Sequence, residues 1–357
     1  MDYKQNISKE LKSIFTISKA KRHWSIPVMA SLCVGLPLLI GYFLGNFSAS
    51  LTVSLGGLVI LYLPTEANLL GRVSKLLLCS FGFVFSYLIG IFFSFNYCIS
   101  YIVFGIFSTI VYIITKKVKL NPPGKFFFIL IAAMASGIPF SLGEIPYRIG
   151  LMTLGVFFSC FIAFLFSLLF IKSDIKSEAK NILSNIDIQD NIDYLEAIII
   201  GIFMSLSFFI AHMFGLNNPY WVPISCLAVM QGVNAKHIWQ RGFYRVLGTT
   251  LGMILCWFIL SFLKTPLEII ISIMIFQYII ELLVVKNYFY AVLFITPMTV
   301  LLSEAGHPNS IDPNLLILAR LKDVFLGSVF GAFGGWILYN EKFRYQVKKH
   351  IQIKTKK

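Results

Sequence analysis

Charged side chains are scarce in this sequence, and their spacing makes some of them able to do chemistry. Arg241 and Arg245 are four apart in Arg241-Gly242-Phe243-Tyr244-Arg245, so on a helix they share a face. Arg320 and Asp323 are three apart and can pair on one helix face. Arg148 has no carboxylate at the matching position, and Arg72 is followed by Lys75. Glu281 follows Gln277 by four in an otherwise apolar run, and His212 stands alone near a helix end. An ionisable group inside a transmembrane helix costs about 2.5–3.5 kcal/mol on insertion scales, so each of these needs a reason. One reason is structural: cations snorkel to the lipid headgroups and ion pairs let both partners insert. The other is a path for solute. On that reading Arg245, Arg148, Arg320 and Arg72 attract an anion, while Asp323, Glu281 and His212 carry protons or gate. Tyr220 and Trp221, between Pro219 and Pro223, suit either an interfacial aromatic belt or a stacking surface for an aromatic solute. No metal-ligand cluster, nucleophile–base set or phosphate loop is present in the sequence. Neither catalysis nor a cofactor is expected, and the chain does not read as an enzyme.

The composition says what must hold these residues. Over the 357 residues, 57% are hydrophobic, 16% aromatic and only 13% charged, about half the charged share of a soluble domain. Repeated apolar stretches of roughly 17–25 residues identify a polytopic all-α membrane protein in contact with the lipid bilayer. The net charge of +14 would suggest nucleic acid in a soluble protein. Here the basic residues fall in the tails and alternate loops, as the positive-inside rule requires, so no nucleic-acid partner is expected. The six cysteines lie in or beside apolar spans without a CxxC pair and read as small apolar filler.

Along the chain, residues 1–24 form a basic segment with apolar positions on one helical face. Residues 25–171 hold six apolar spans, 172–194 a polar linker, 195–340 six more, and 341–357 a basic tail. With twelve spans the basic loops fall on one side and both termini are cytoplasmic. Ten spans with re-entrant segments fit the lengths as well. The halves match at an offset of about 170 residues. Gly45 falls with Gly215, Arg72 near Arg241 and Gly82 with Gly252, while Arg148 and Gly155 match Arg320 and Gly327, each pair seven apart. Two halves of six spans each have the same orientation, as parallel repeats. Gly248 and Gly252, with Thr249 between them and Gly327 further on, are small residues that permit close helix contact.

Tyr220-Trp221-Val222-Pro223, the apolar run to Gln231, and Arg241-x-x-x-Arg245-Val-Leu-Gly248-Thr249-x-x-Gly252 resemble the signature of the fusaric acid resistance family. Arg320-x-x-Asp323-x-x-x-Gly327 is similar to a second piece of that pattern. The resemblance covers residues ~195–340 and lacks the large soluble domain of many longer members. It implies a cytoplasmic (inner) membrane exporter of small organic anions, aromatic carboxylic acids in particular, acting in some relatives with a periplasmic adaptor protein. From the residues alone, a path between the two repeats fits a proton-coupled exporter, a passive anion channel or a non-transporting assembly factor. The oligomeric state is open.

Overall fold

The computed structural model describes residues 22–64, 69–170, 192–263, 265–306 and 313–355, together with 18 and 20. Most of the 1–24 segment and of the 172–194 linker lies outside the described residues. The described chain is helical, with no strand. The helices are α1 (Ser25–Phe43), α2 (Phe47–Gly57, continued by a 3-10 turn Leu58–Tyr62), α3 (Leu69–Phe92), α4 (Tyr97–Lys117), α5 (Phe126–Ser136), α6 (Ile145–Phe170), α7 (Tyr194–Met213), α8 (Trp221–Met230), α9 (Ala235–Phe262), α10 (Pro266–Leu283), α11 (Tyr288–Gly306), α12 (Pro313–Tyr339) and α13 (Glu341–Thr355). The basic tail is thus helical through Thr355.

Several boundaries follow from short polar residues at the starts. The Asn46 side chain accepts from the Ala49 N–H at 3.2 Å and the Asn96 side chain from the Cys98 N–H at 2.9 Å. Asp193 caps α7, and Thr265 forms a reciprocal capping box with Glu268, with Pro266 in the first turn of α10. Each satisfies backbone donors that the first helical turn leaves orphaned. Glycines write two of the ends. Gly45 has φ +70° and Gly215 φ +60°, a conformation that side-chain-bearing residues adopt at a cost. Around each, the chain closes alike. Gly45 N–H donates to the Tyr42 carbonyl and Asn46 N–H to Gly41, while Gly215 N–H donates to His212 and Leu216 N–H to Ala211.

Eight of the helices (α1, α3, α4, α6, α7, α9, α10 and α12) are long and apolar enough to cross a membrane, against twelve full spans expected from the sequence. The other four expected spans are shorter apolar helices: α2, α5, α8 and α11. The 10 residues of α8 rise only about 15 Å, half of a ~30 Å hydrocarbon core. Large apolar side chains stay exposed on the long helices, among them Phe81, Phe157, Phe161, Trp257, Phe325 and Phe333. Lipid tails solvate such faces as well as a core would.

The chain forms two compact units. The first gathers residues 1–84, 146–182 and 244–318, the second 85–145, 183–243 and 319–357. In the first, α1 packs on α2 and α10, α10 on α11, and α11 on α2. Its core joins Val34, Leu38, Ile270, Ile273, Phe276, Ile280 and Leu301. In the second, α7 packs on α8 and α4, α4 on α5, and α5 on α8. Each unit therefore contains one contacting pair of short helices: α2 with α11, and α5 with α8. Glycine sets a further close approach in each. A Cβ on Gly155 of α6 would lie 2.1 Å from the Val53 carbonyl oxygen of α2, and one on Gly327 of α12 would lie 2.3 Å from that of Val222 in α8.

Candidate functional site

Helix α8 is buried along its whole length, from Trp221 to Met230. A helix hydrophobic all round belongs inside a protein, and its two ends carry the polar groups of the second unit. At its first turn the Arg320 guanidinium lies 3.1 Å from the centroid of the Trp221 ring. Arg320 is 8% exposed and Trp221 9%. Tyr220, half-buried, sits 5.4 Å from Trp221 centroid to centroid, and its hydroxyl donates to the Asn218 side chain at 3.3 Å. The Tyr220 ring also fills the space a Cβ on Gly137 would occupy, at the end of α5. One turn along α12 from Arg320, Asp323 is 1% exposed, and its carboxylate is within electrostatic reach of Arg320 and Tyr220. Residues ~100 positions apart in sequence thus converge: a planar cation, an indole, a phenol ring and a buried carboxylate. The sequence reading pairs Arg320 with Asp323; in the structure the Arg320 guanidinium lies over the Trp221 ring as well as within electrostatic reach of Asp323.

At the other end of α8, Arg241 acts as a C-terminal cap. Its Nε donates to the Ala228 carbonyl at 2.9 Å and its Nη2 to Gln231 Oε1 at 3.4 Å, a favourable place for a cation because helix C-termini are electronegative. Here too Tyr339 donates from its hydroxyl to the Gly232 carbonyl at 2.9 Å. Nearby at the same ends of α4, α5 and α7 is a polar cluster that sequence reasoning passed over. The Lys125 ammonium lies 4.5 Å and that of Lys116 5.7 Å from the Tyr112 ring centroid. The Tyr112 phenol engages Glu196, whose carboxylate also faces Lys125 and Tyr339. Arg344 of α13 pairs with Asp193, the α7 cap. Lys125 precedes the first turn of α5, outside the helix, and burial pushes its ammonium down to about 8. In sequence it looked like one more basic loop residue. The only signal was Tyr112 and Lys116 standing four apart on one helix face, with Pro122-Pro123-Gly124 turning Lys125 back toward them.

His212 is not part of either cluster. Its Nδ1 is 3.0 Å from the Phe208 carbonyl and its ring packs on Tyr97 and Phe208.

In the first unit, Glu281 is 4% exposed. Gln277 Nε2 donates to its Oε1 at 3.0 Å, and Arg22 forms an ion pair with its Oε2. Lys286 is the nearby cation in sequence, yet the partner lies 259 residues away, ahead of α1. No local pattern could have named it. The Ser18 N–H donates to the Lys286 carbonyl at 3.0 Å, so the segment before α1 is tied at two points. Arg245 is 7% exposed in α9, while Arg148 at the start of α6 and Arg72 in α3 are half-buried. Gly248, Thr249 and Gly252 lie on α9, where Cβ atoms added to the glycines would meet α11 at Val292 (3.0 Å) and the Leu293 carbonyl (2.8 Å). Thr249 is 2% exposed. No group of His, Cys, Asp and Glu able to hold a metal is present among the described residues.

Comparison with known proteins bears on the second half of the chain. Residues 206–334 match the model of a family described as fusaric acid resistance protein-like. The chain is also 33% identical over 155 residues to the uncharacterized membrane protein YvaC of Bacillus subtilis (strain 168), a stretch covering 43% of this chain and 24% of that protein. No solved structure matches. The protein is a multi-pass membrane protein, and its second half is similar to fusaric acid resistance-like proteins.

Proposed function

We propose that the protein is a transporter that exports small organic anions, aromatic carboxylic acids foremost, with Arg320, Trp221, Tyr220 and Asp323 as its recognition site. The observation that carries this reading is the buried Arg320 guanidinium stacked on Trp221 one helical turn from the buried Asp323 carboxylate. A guanidinium stacked by its face can still present in-plane N–H groups to a carboxylate, and the neighbouring rings suit an aromatic solute. Asp323 competes for the same cation. Protonating it removes the competing charge and lets the substrate carboxylate bind, so proton and substrate occupancy are linked at this site. Arg245, Arg148 and Arg72 serve the path as secondary cations. Glu281, tied to Arg22 and Gln277, is structural on this reading, as is His212.

The same reading takes the twelve apolar helices as six plus six. Its support is local: the Gly45 and Gly215 turns share a hydrogen-bond pattern, the short helices recur at every third place from α2 to α11, and α1–α10 and α7–α4 are equivalent pairs. We place both termini in the cytoplasm and the protein in the inner membrane, from the basic loops and the resemblance. A periplasmic adaptor belongs to the proposal as an optional partner. Enzymatic activity does not.

One observation favours a second reading, an anion channel. Glu281, the buried carboxylate among the described residues of the first unit, already holds a cation and is not poised for coupling. Uptake into proteoliposomes of a panel of aromatic and dicarboxylic acids, with and without a pH gradient, separates the two. Gradient-driven accumulation lost in Asp323→Asn, with downhill exchange retained, is the exporter's result; flux indifferent to the gradient is the channel's. Flux unchanged in Arg320→Ala would remove the recognition site, and flux unchanged in Arg245→Ala and Arg148→Ala would remove the secondary cations.

A further inference from the structure

Lys125 and Arg320 mark opposite ends of the second unit. Along α12 the 19-residue step from Arg320 to Tyr339 rises about 28 Å. Arg320 sits with the first turn of α8, whereas Tyr339 reaches Gly232 beyond its last turn. The Lys125 cluster draws on four helices: Tyr112 and Lys116 from α4, Asp193 and Glu196 from α7, Tyr339 from α12 and Arg344 from α13, around Lys125 at the start of α5. Its cations and anions are not matched one to one. Arg344 takes Asp193, Glu196 lies within electrostatic reach of both Tyr112 and Lys125, and the two lysines lie over a single ring. Lys116 and Lys125 repel each other there, with one aromatic face to stabilise both.

We propose that Lys125 is a proton-exchange site at the α13 end of the second unit, giving its proton to water and regaining it during the transport cycle, with Tyr112 and Glu196 as its positioning partners. The inference rests on the proton-coupled reading above. Geometry supplies three properties such a site needs. Lys125 stands in the turn ahead of α5, outside the apolar helix, and as a residue it is half-buried. Its charged form is held by Tyr112 and Glu196, and its neutral form is favoured by Lys116 and by burial. These opposing influences bring an amine that ordinarily titrates far above neutrality into the physiological range, and the lowered value near 8 agrees. Arg320, always charged, cannot do this at the other end.

Two readouts test it on the full-length protein. In nanodiscs, with tyrosine rings labelled for NMR and the Tyr112 signal assigned by Tyr112→Phe, the Tyr112 resonance is followed from pH 6 to 10. An inflection near 8 that disappears in Lys125→Arg is the expected result. No inflection, or one that survives Lys125→Arg, overturns the assignment. In proteoliposomes, Lys125→Arg and Glu196→Gln are expected to flatten the dependence of flux on pH at the α13 side while leaving downhill exchange within about twofold. An unchanged pH profile in Lys125→Arg overturns the coupling role even if the resonance titrates. If wild type shows the inflection but carries no anion under any condition, the transport reading fails instead, and Lys125 stands as a titrating group without it.

Discussion

A guanidinium packed against an indole loses water from the covered face, so hydrogen bonding to a carboxylate falls to its edge. That places a sharp demand on Arg320. Arg320→Lys keeps the charge but gives up the planar stack and the forked edge. A desolvated cation–π contact is worth about 2 kcal/mol, so substrate affinity in a proteoliposome competition assay should fall about 30-fold, and Trp221→Leu should do nearly as much. Arg22 and Glu281 make a different prediction. Removing Arg22 strands a buried carboxylate, which costs about 3–5 kcal/mol. Arg22→Ala should therefore lower thermal stability in detergent more than the double change Arg22→Ala with Glu281→Gln. Lys125 adds a pH dependence. Its folded value of about 8 lies below the ordinary 10.5. Below pH 8 folded and unfolded chains both hold the proton and the cost of burying the charge is full. Between the two values the unfolded chain holds more protons, so stability rises with pH. The midpoint of unfolding should climb over that window in the wild type and stay flatter in Lys125→Met. At this scale Arg320, Tyr220 and Trp221 were legible in the sequence as candidates, and the structure brings them together. Ionisable groups in apolar runs and aromatics beside proline announce themselves. Arg22 and Lys125 did not, because a loop cation looks the same whether it faces water or a carboxylate from a distant helix.

Helix α6 carries two glycines five apart whose surroundings differ. A Cβ at Gly150 meets nothing within 4 Å, whereas one at Gly155 meets the Val53 backbone at 2.1 Å. Gly150→Ala should be neutral or stabilise by up to about 1 kcal/mol through helix propensity. Gly155→Ala forces two helix backbones apart, and overpacking of that kind costs about 1–3 kcal/mol. The same loss is expected for Gly327→Ala in α12, and unfolding in detergent distinguishes all three. The elements themselves were legible where length and polarity agree. The eight long helices follow from unbroken apolar runs, and their starts from Asn96, Asp193 and Thr265. The short ones were harder. Hydropathy registers that Trp221 to Met230 is apolar but not that every side chain on it is enclosed, since lipid and protein interior favour the same residues.

The units interleave along the sequence, so neither half of the chain contains either one. Residues 1–182 lack the 244–318 stretch that completes the first, and 183–357 lack the 85–145 stretch that completes the second. Expressed alone, each fragment should be degraded; expressed together, they should copurify as a stable pair, as gel filtration after tagging one fragment would report. The sequence offered the offset of about 170 residues but not this exchange of neighbours. Which helices touch is decided by small side chains and close backbone approach, at positions such as Gly105 against Gly201, and their partners are not encoded nearby. The α5–α8 pair, 11 and 10 residues long, has an electrical consequence. Moving one elementary charge through a full membrane potential involves about 2.3 kcal/mol per 100 mV. Where apolar helices of half the usual length meet, water at their ends would compress that voltage drop into roughly half the thickness and double the local field. An anion crossing there would do nearly all its electrical work in a few ångströms, and its current would depend on voltage accordingly.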